Sequence, residues 1–386
     1  MVLLKKIFII ILFLFPLGEI IRLDFGNGIV AKPLDLGVSL FVALWLIIKL
    51  KNREGIRQKY ILTSVLLFSG IGGLSLLMNS YYLTFSQFLA SLLYLIRWIA
   101  YAGILFVISD FDKTFKKRII SLLIIVGSII IGLGYFQYFF YTSLKGLLYL
   151  GWDEHMYRMF SVFLDPNFAG AFFVLFFLFI ANIFLKKRNI PTGVLLLLTL
   201  PAVFLTFSRS ALIMLILGSS LLFILMNKRM LILLILGITI LVLIISSRYY
   251  NIENINLFRT ISTKARLETS SNALRIIKDH PILGVGFNAY KYTQIRYGFR
   301  LDVNVVKSHA DAGVDNSFLF VLATTGIIGF TAYMFLWYRV IKRYWFSVLI
   351  ISSIFGLFVN SLFINSLFYP PLMFWIWVTL GTTEKN

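Results

Sequence analysis

The chain has 386 residues; 60% are hydrophobic, only 13% are charged, the formal net charge is +20 and cysteine is absent. A soluble domain carries about 25% charged residues, so the composition excludes an ordinary soluble globule and marks an integral membrane protein. Without cysteine there are no disulfides, thiolate metal sites or cysteine nucleophile. The cations are dispersed among apolar runs, which argues against nucleic acid as a partner.

Twelve apolar runs follow one another, at roughly 6–21, 34–50, 60–79, 87–109, 118–141, 167–185, 190–207, 209–226, 230–247, 315–338, 344–363 and 366–381. About 20 apolar residues cross a bilayer core as a helix. The runs are continuously apolar rather than alternating, which disfavours an outer-membrane barrel and leaves helices as the spanning element. Lys5 and Lys6 precede the first run as in a signal peptide. No small-residue cleavage site follows it, only Gly18, Glu19 and Arg22, so a retained helix is expected. Between the fifth and sixth runs, 142–166 carries Trp152, Met156, Tyr157 and Phe160, a set suited to a re-entrant or interfacial amphipathic piece.

The one long polar stretch, 248–314, keeps Leu257, Phe258, Ile282, Phe287, Tyr290 and Tyr292 and is expected to fold rather than to act as a connector. The spacing of Ala265, Ala273, Leu274 and Ile277 predicts a helix over Ser262–Lys278. That helix should end at Asp279-His280-Pro281, where His280 reads as a turn residue. Gly284 and Gly286 suit a tight turn, and Asp315 or Ser317 is expected to cap the tenth run. The expected fold is thus an all-α polytopic membrane protein of about twelve transmembrane helices. Residues 1–247 hold nine helices, 248–314 a large folded external loop, and 315–386 three helices and a short tail.

Alternate short loops hold the basic residues: Lys49 to Lys59, Lys113 to Arg118, Lys186 to Arg188, Lys228 and Arg229, and Arg339 to Arg343. The positive-inside rule then places both termini in the cytoplasm and 248–314 outside the membrane. The outer stretch gathers many cations, among them Arg266, Arg275 and Lys307, together with His309, a composition suited to an anion. Arg97 lies in the middle of the fourth run, where an ionisable group is costly; it either serves function or holds a buried carboxylate or carbonyl. Asp110 and Asp112 read as a solvated end of a cytoplasmic loop. No paired-carboxylate motif occurs in the large loop, and no nucleotide-binding loop occurs anywhere, so neither metal nor cofactor is expected.

Three segments carry a resemblance. RMFSVFLDPNFAGAF (158–172), TFSRSALIMLILG (206–218), and RLETSSNALRIIKDHPILGVGFNAY (266–290) followed by DNSFLFVLATTGIIGF (315–330) resemble the motifs of the Wzy-type polysaccharide polymerases and O-antigen ligases, in the same order. The resemblance spans about Arg158 to Phe330. It implies metal-independent glycosyl transfer from a sugar chain carried on a polyprenyl diphosphate, with Arg158, Arg209 and Arg266 at the positions of the family's diphosphate-binding arginines. An arginine fork suits phosphate oxygens, and the alternative for Arg209 is an arginine that snorkels at the membrane rim. Arg97, Arg275 and Asn316 are further candidates.

Where ligases of this family show a His-Asn pair, this chain has Asp315-Asn316, so the base is expected to be either His309 or Asp315. The role of His155, beside Asp153 and Glu154, stays open. The implied reaction joins polyprenyl-diphosphate-linked repeat units, donor to acceptor, with membrane lipids and a chain-length regulator as further partners. A ligase that moves finished chains to a lipid core is the alternative of equal chemistry. A flippase for lipid-linked oligosaccharides is the alternative of different class. It is disfavoured because no internal repeat is visible and the large loop would be idle.

Overall fold

In the computed structural model, residues 1–25, 30–247, 256–257, 260–300 and 313–384 are described. They are helical almost throughout; the one ladder pairs Leu23 with Ala31 and Asp24 with Val30. The helices are α1 (Val2–Leu14), α2 (Pro33–Lys51), α3 (Lys59–Met78), α4 (Phe85–Ser109), α5 (Lys113–Phe140), α6 (Pro166–Lys187), α7 (Ile190–Leu205), α8 (Arg209–Leu225), α9 (Met230–Ser247), α10 (Ile261–Asp279), α11 (Tyr290–Arg296), α12 (Ser317–Tyr344), α13 (Val348–Ser361) and α14 (Pro370–Thr382). Six of them, α2 to α6 and α12, are long and apolar enough to cross a membrane; α7, α8, α9 and α13 are shorter apolar helices. Each of the twelve apolar runs overlaps a helix, although α1 stops at Leu14, well short of the end of the 6–21 run. The predicted helix in the polar stretch is α10.

Capping chemistry sets the helix starts. Thr84 caps α4 in a reciprocal box with Gln87, Asp112 caps α5, Asp165 caps α6 and Ser208 caps α8. Asn316, not Asp315 or Ser317, caps α12: its Oδ1 accepts from Phe318 N at 2.9 Å and Leu319 N at 3.1 Å. Proline occupies the first turn of α2, α6, α7 and α14, where a missing N–H costs nothing.

The helices pair as α3 with α12, α8 with α13, α4 with α14, and α6 with α7 and α8. Close approach in an apolar medium favours small residues; at α8–α13 a Cβ on Gly218 would stand 3.5 Å from Gly356 Cα. The α3–α12 pair is antiparallel, since Arg339 donates to Tyr60 O at 2.7 Å while Ser75 donates to Thr324 O at 2.9 Å. Both chain ends lie at the Arg339 end of the bundle, where Lys5 pairs with Asp112, and Lys116 with Glu384 at 2.8 Å. Asp110, expected as a solvated loop end, is buried there. It pairs with Lys49 at 2.9 Å and Arg57 at 3.4 Å and accepts from Trp45 Nε1 at 2.9 Å. Three donors reach one carboxylate because α2, the loop before α3 and the end of α4 meet at that point.

At the opposite end, α12 is interrupted. Gly326 has φ 64 and ψ −169, a conformation essentially reserved for glycine. The gap is filled by residues 281–286 of the polar stretch. Val285 N donates to Ala323 O at 3.0 Å, Gly286 N to Thr324 O at 3.1 Å, and Ile327 N to Pro281 O at 2.8 Å. Ser75 and Asn79 of α3 donate to Leu283 O and Gly284 O at 2.5 and 3.1 Å. The glycine pair predicted as a tight turn is therefore part of a backbone graft onto a broken helix. The reason is that the carbonyls freed by the break need donors. Beside it, Ala273 and Ile276 of α10 bury against Val285, Tyr290, Val314 and Phe320, which docks the polar stretch on the bundle.

Candidate functional site

A cavity of about 670 Å³ opens at the Gly326 end of the bundle. Its walls come from the connection between α1 and α2, the middle of α4, the loop 151–158, the start of α6, α10, the start of α11 and the approach to α12.

The loop between α5 and α6, expected as a re-entrant or interfacial amphipathic piece, forms short turns at Lys145–Leu150 and Ser161–Phe163 around an irregular segment. His155, Tyr157, Ser161 and Leu164 all have positive φ, between 48 and 57. Each costs roughly 1 kcal/mol or more for an L-residue, so the path must be fixed from outside. Gln137, buried on α5, does much of this: it accepts from Phe160 N at 2.8 Å and Ser161 N at 3.1 Å, and donates to Tyr141 O at 2.9 Å and Arg158 O at 3.3 Å. Met159 N donates to Leu205 O at 2.8 Å. The outcome is that Trp152, Asp153, Glu154, His155 and Arg158 all reach the cavity wall.

Arg158 is 4% exposed. Its guanidinium donates through Nε to Thr206 O at 2.9 Å and through Nη2 to Phe207 O and Asn167 Oδ1, both at 3.4 Å. Asn167 Oδ1 also accepts from Ser208 Oγ at 3.0 Å. One knot thus joins the 158–172 and 206–218 motifs, which lie 41 residues apart at their contact. The amide of Asn167 is its centre, and the starts of α6 and α8 meet there. Each helix start adds partial positive charge.

Arg266, half-buried on α10, and Asp315, just before the α12 cap, line the same cavity as Arg158. Arg97 lines it too, from within α4. It pairs with Asp35 at 3.3 Å and lies 4.0 Å over the Tyr94 ring. The other Asp35 oxygen accepts from Tyr101 at 2.7 Å. Arg97 thus meets a buried carboxylate, one of the two alternatives expected for it, and lines the cavity as well.

Other candidates stand elsewhere. Arg209 begins α8 beside the knot, but its side chain is not among the described walls of the cavity. Arg275 lies 5.9 Å over the Phe299 ring on the far part of α10. Asn316 is spent on capping and on Leu362 O, to which it donates at 3.1 Å. His309 lies outside the described residues. His280 ends α10 at the C-cap, as expected of a turn residue.

Sequence reasoning had not singled out Glu19, Lys32 or Arg22 as site residues, and Lys291 entered only as one of the many cations of the polar stretch, though all four line the cavity. Lys32 pairs with Glu19 at 2.7 Å, and Arg22 lies 5.4 Å over Trp152. The available signal was a cluster of charges in a short connection between two apolar runs. Next to Lys291, burial pushes the Tyr290 phenol well above its ordinary range, so it stays neutral. Among the described residues, no three histidines and carboxylates gather as a metal site.

The stretch from α7 into α12 matches a known family model, described as O-antigen ligase, over residues 194–334. Residues 194–334 are an O-antigen ligase family domain. Members of that family are glycosyl-transferring enzymes, ligases and polymerases, of lipid-linked polysaccharide assembly. The O-antigen ligase domain supplies Ser208, Arg266, Lys291, Asp315 and the Gly326 break, whereas Arg97, Arg158 and Asn167 come from the chain before it. No curated protein matches the chain.

Proposed function

We propose that the protein polymerises polyprenyl-diphosphate-linked oligosaccharide repeat units at the outer face of the bacterial plasma membrane. The observation that carries this reading is the convergence of Arg158, Arg266 and Asp315 on one cavity, at the helix end where the O-antigen ligase domain meets the preceding chain. Twelve helices cross the membrane in this reading, with both termini in the cytoplasm and the cavity facing outward.

Arginine forks hold the donor's diphosphate and stabilise the charge that grows on it in the transition state. Arg209, one residue from the knot, is proposed to join them as the substrate enters. The acceptor hydroxyl attacks the anomeric carbon in line. A C–O bond to the acceptor forms, the C–O bond to phosphate breaks, and the electron pair leaves with the lipid diphosphate. The hydroxyl proton passes to His309 with Asp315 as its orienter, or to Asp315 itself. No cofactor is required, because the phosphate-linked sugar carries the driving force. Arg275 and Asn316 act at a remove, the first on the fold of α10 and the second on the start of α12.

A ligase would run the same chemistry onto a lipid core, and the description of the matched family favours keeping that reading beside the first. One experiment separates them. In cells carrying Arg158→Ala, lipid-linked glycans are resolved by length. Accumulation of single repeat units on the lipid supports a polymerase, accumulation of full-length chains on the lipid supports a ligase, and an unchanged distribution refutes both.

A further inference from the structure

Apart from Arg22, which lies over Trp152, the cavity's cations divide into two sets by the elements that carry them. Arg158 stands with the Asn167–Ser208 knot, and Arg266 on α10. The second set is drawn from three other elements: Arg97 from α4, Lys291 from α11, and Lys32, the residue that precedes the first turn of α2. All three line one cavity together with Tyr94, although they are up to 259 positions apart in sequence.

The balance of the second set is positive. Arg97 is met by Asp35 and Lys32 by Glu19, and both carboxylates are largely buried, 12% and 3% exposed. Lys291, 4.8 Å over the Tyr292 ring, brings a third cation to two anions. The N-terminus of α2 adds partial positive charge at the same place. Excess positive charge in a partly desolvated wall is costly, and an anionic ligand relieves it.

A transfer between two lipid-borne sugars also has an electrostatic requirement. Two diphosphates drawn into one cavity repel each other strongly unless each has its own countercharge. We propose that Arg97, Lys291 and Lys32 form a second anion subsite, which holds the diphosphate of the acceptor lipid while Arg158 and Arg266 hold that of the donor. The proposal rests on the polymerase reading and adds the place of the acceptor. Arg97 is suited to it because stacking on Tyr94 and pairing with Asp35 fix its plane, and Lys291 supplies a mobile point charge beside it.

The test uses the full chain in lipid nanodiscs and farnesyl diphosphate as probe, with bound ligand counted by native mass spectrometry. Wild type should bind two molecules per chain. Lys291→Gln should bind one, and so should the double variant Arg97→Gln/Asp35→Asn, which removes the ion pair without leaving a buried charge unmatched. Arg266→Gln should also drop to one. One molecule per wild-type chain, or two retained in both second-set variants, overturns the second subsite and leaves the proposed function standing. No binding to wild type overturns both.

A kinetic arm separates an acceptor site from an exit site for the released lipid diphosphate. In Lys291→Gln, the acceptor concentration for half-maximal single-turnover rate should rise about tenfold, with the rate recovered at saturation. A rate that stays low at every acceptor concentration makes this an exit site and overturns the assignment.

Discussion

Substituting Gly326 by alanine tests whether the graft between the polar stretch and α12 holds the cavity together. A Cβ at Gly326 would stand 2.1 Å from Ile282 O and 2.5 Å from Leu283 N, both backbone atoms, in a conformation that L-residues avoid. The residue cannot relax into a continuous helix without expelling residues 281–286. Expulsion breaks four backbone hydrogen bonds, those from Val285, Gly286, Ile327 and Ile328. At about 1 kcal/mol each, expulsion costs about 4 kcal/mol; keeping the segment would add a Cβ overlap at 2.1 Å with backbone atoms to a backbone strain of roughly 1 to 3 kcal/mol, so expulsion is the cheaper route. That is a large part of the stability of a folded domain, so the polar stretch should undock locally rather than the bundle unfold. The chain lacks cysteine, so a single Val285→Cys, buried at 1% exposure, reports docking by maleimide labelling. It should be protected alone and labelled rapidly when combined with Gly326→Ala, with polymer formation lost because Asn288 and Lys291 leave the cavity wall. Gly237→Ala, where a Cβ meets nothing within 4 Å, is the control; a helix former there should stabilise by up to about 1 kcal/mol. Continued protection of Val285→Cys in Gly326→Ala, with unchanged melting, would refute the reasoning.

Arg266→Ala should remove a half-exposed cavity cation without unfolding, costing about 2 kcal/mol of transition-state stabilisation, roughly a 30-fold loss of transfer rate; lysine should restore it only in part. Asn167→Ala should cost more than Asn167→Asp, because the carboxylate still accepts from Arg158 and Ser208; equal transfer rates in the two variants would deny the knot its role. For the base, His309→Ala should abolish transfer while Asp315→Asn keeps part of it, and the reverse pattern assigns the proton to Asp315. Single cysteines settle the sidedness: Lys278→Cys should react with an impermeant maleimide in intact cells, and Lys187→Cys only after permeabilisation.

Much of the helical framework was legible because a bilayer-length apolar run has few alternatives. The apolar runs and α10 with its end before Pro281 follow from local chemistry, whereas the caps at Asp112 and Asp165 were not read from it. What local chemistry could not show was tertiary. The residues 281–286 carry ordinary turn signals, and nothing in their own composition indicates that their backbone completes α12. Gly326 looked like any small residue of a membrane helix. The path from His155 to Leu164 was hidden for a similar reason, since its middle, at Arg158, Phe160 and Ser161, is held by Gln137, which a reading of periodicity passes over as one polar residue in an apolar helix.

The site was legible where a charge stood out against an apolar background and illegible where charges were expected anyway. Arg97 drew notice because it sits inside a span, but nothing in the sequence around Asp35, its partner 62 residues earlier, points to it, since an acid at a helix start is common. Lys32 drew no notice in a short connection, and Lys291 was one of many cations in the polar stretch. Only the fold sets Lys32, Arg97 and Lys291, together with Tyr94, in the same cavity as Arg158 and Arg266. Arg97 and Arg158 both precede residue 194, where the O-antigen ligase domain begins, and both are held by groups that the sequence gives no reason to join. The domain supplies Arg266, Asp315 and Lys291; the preceding helices supply the most rigidly held arginines. A fragment limited to residues 194–334 would therefore lack Arg158 from one proposed anion subsite and both Arg97 and Lys32 from the other, which makes the earlier helices part of the site rather than its scaffold.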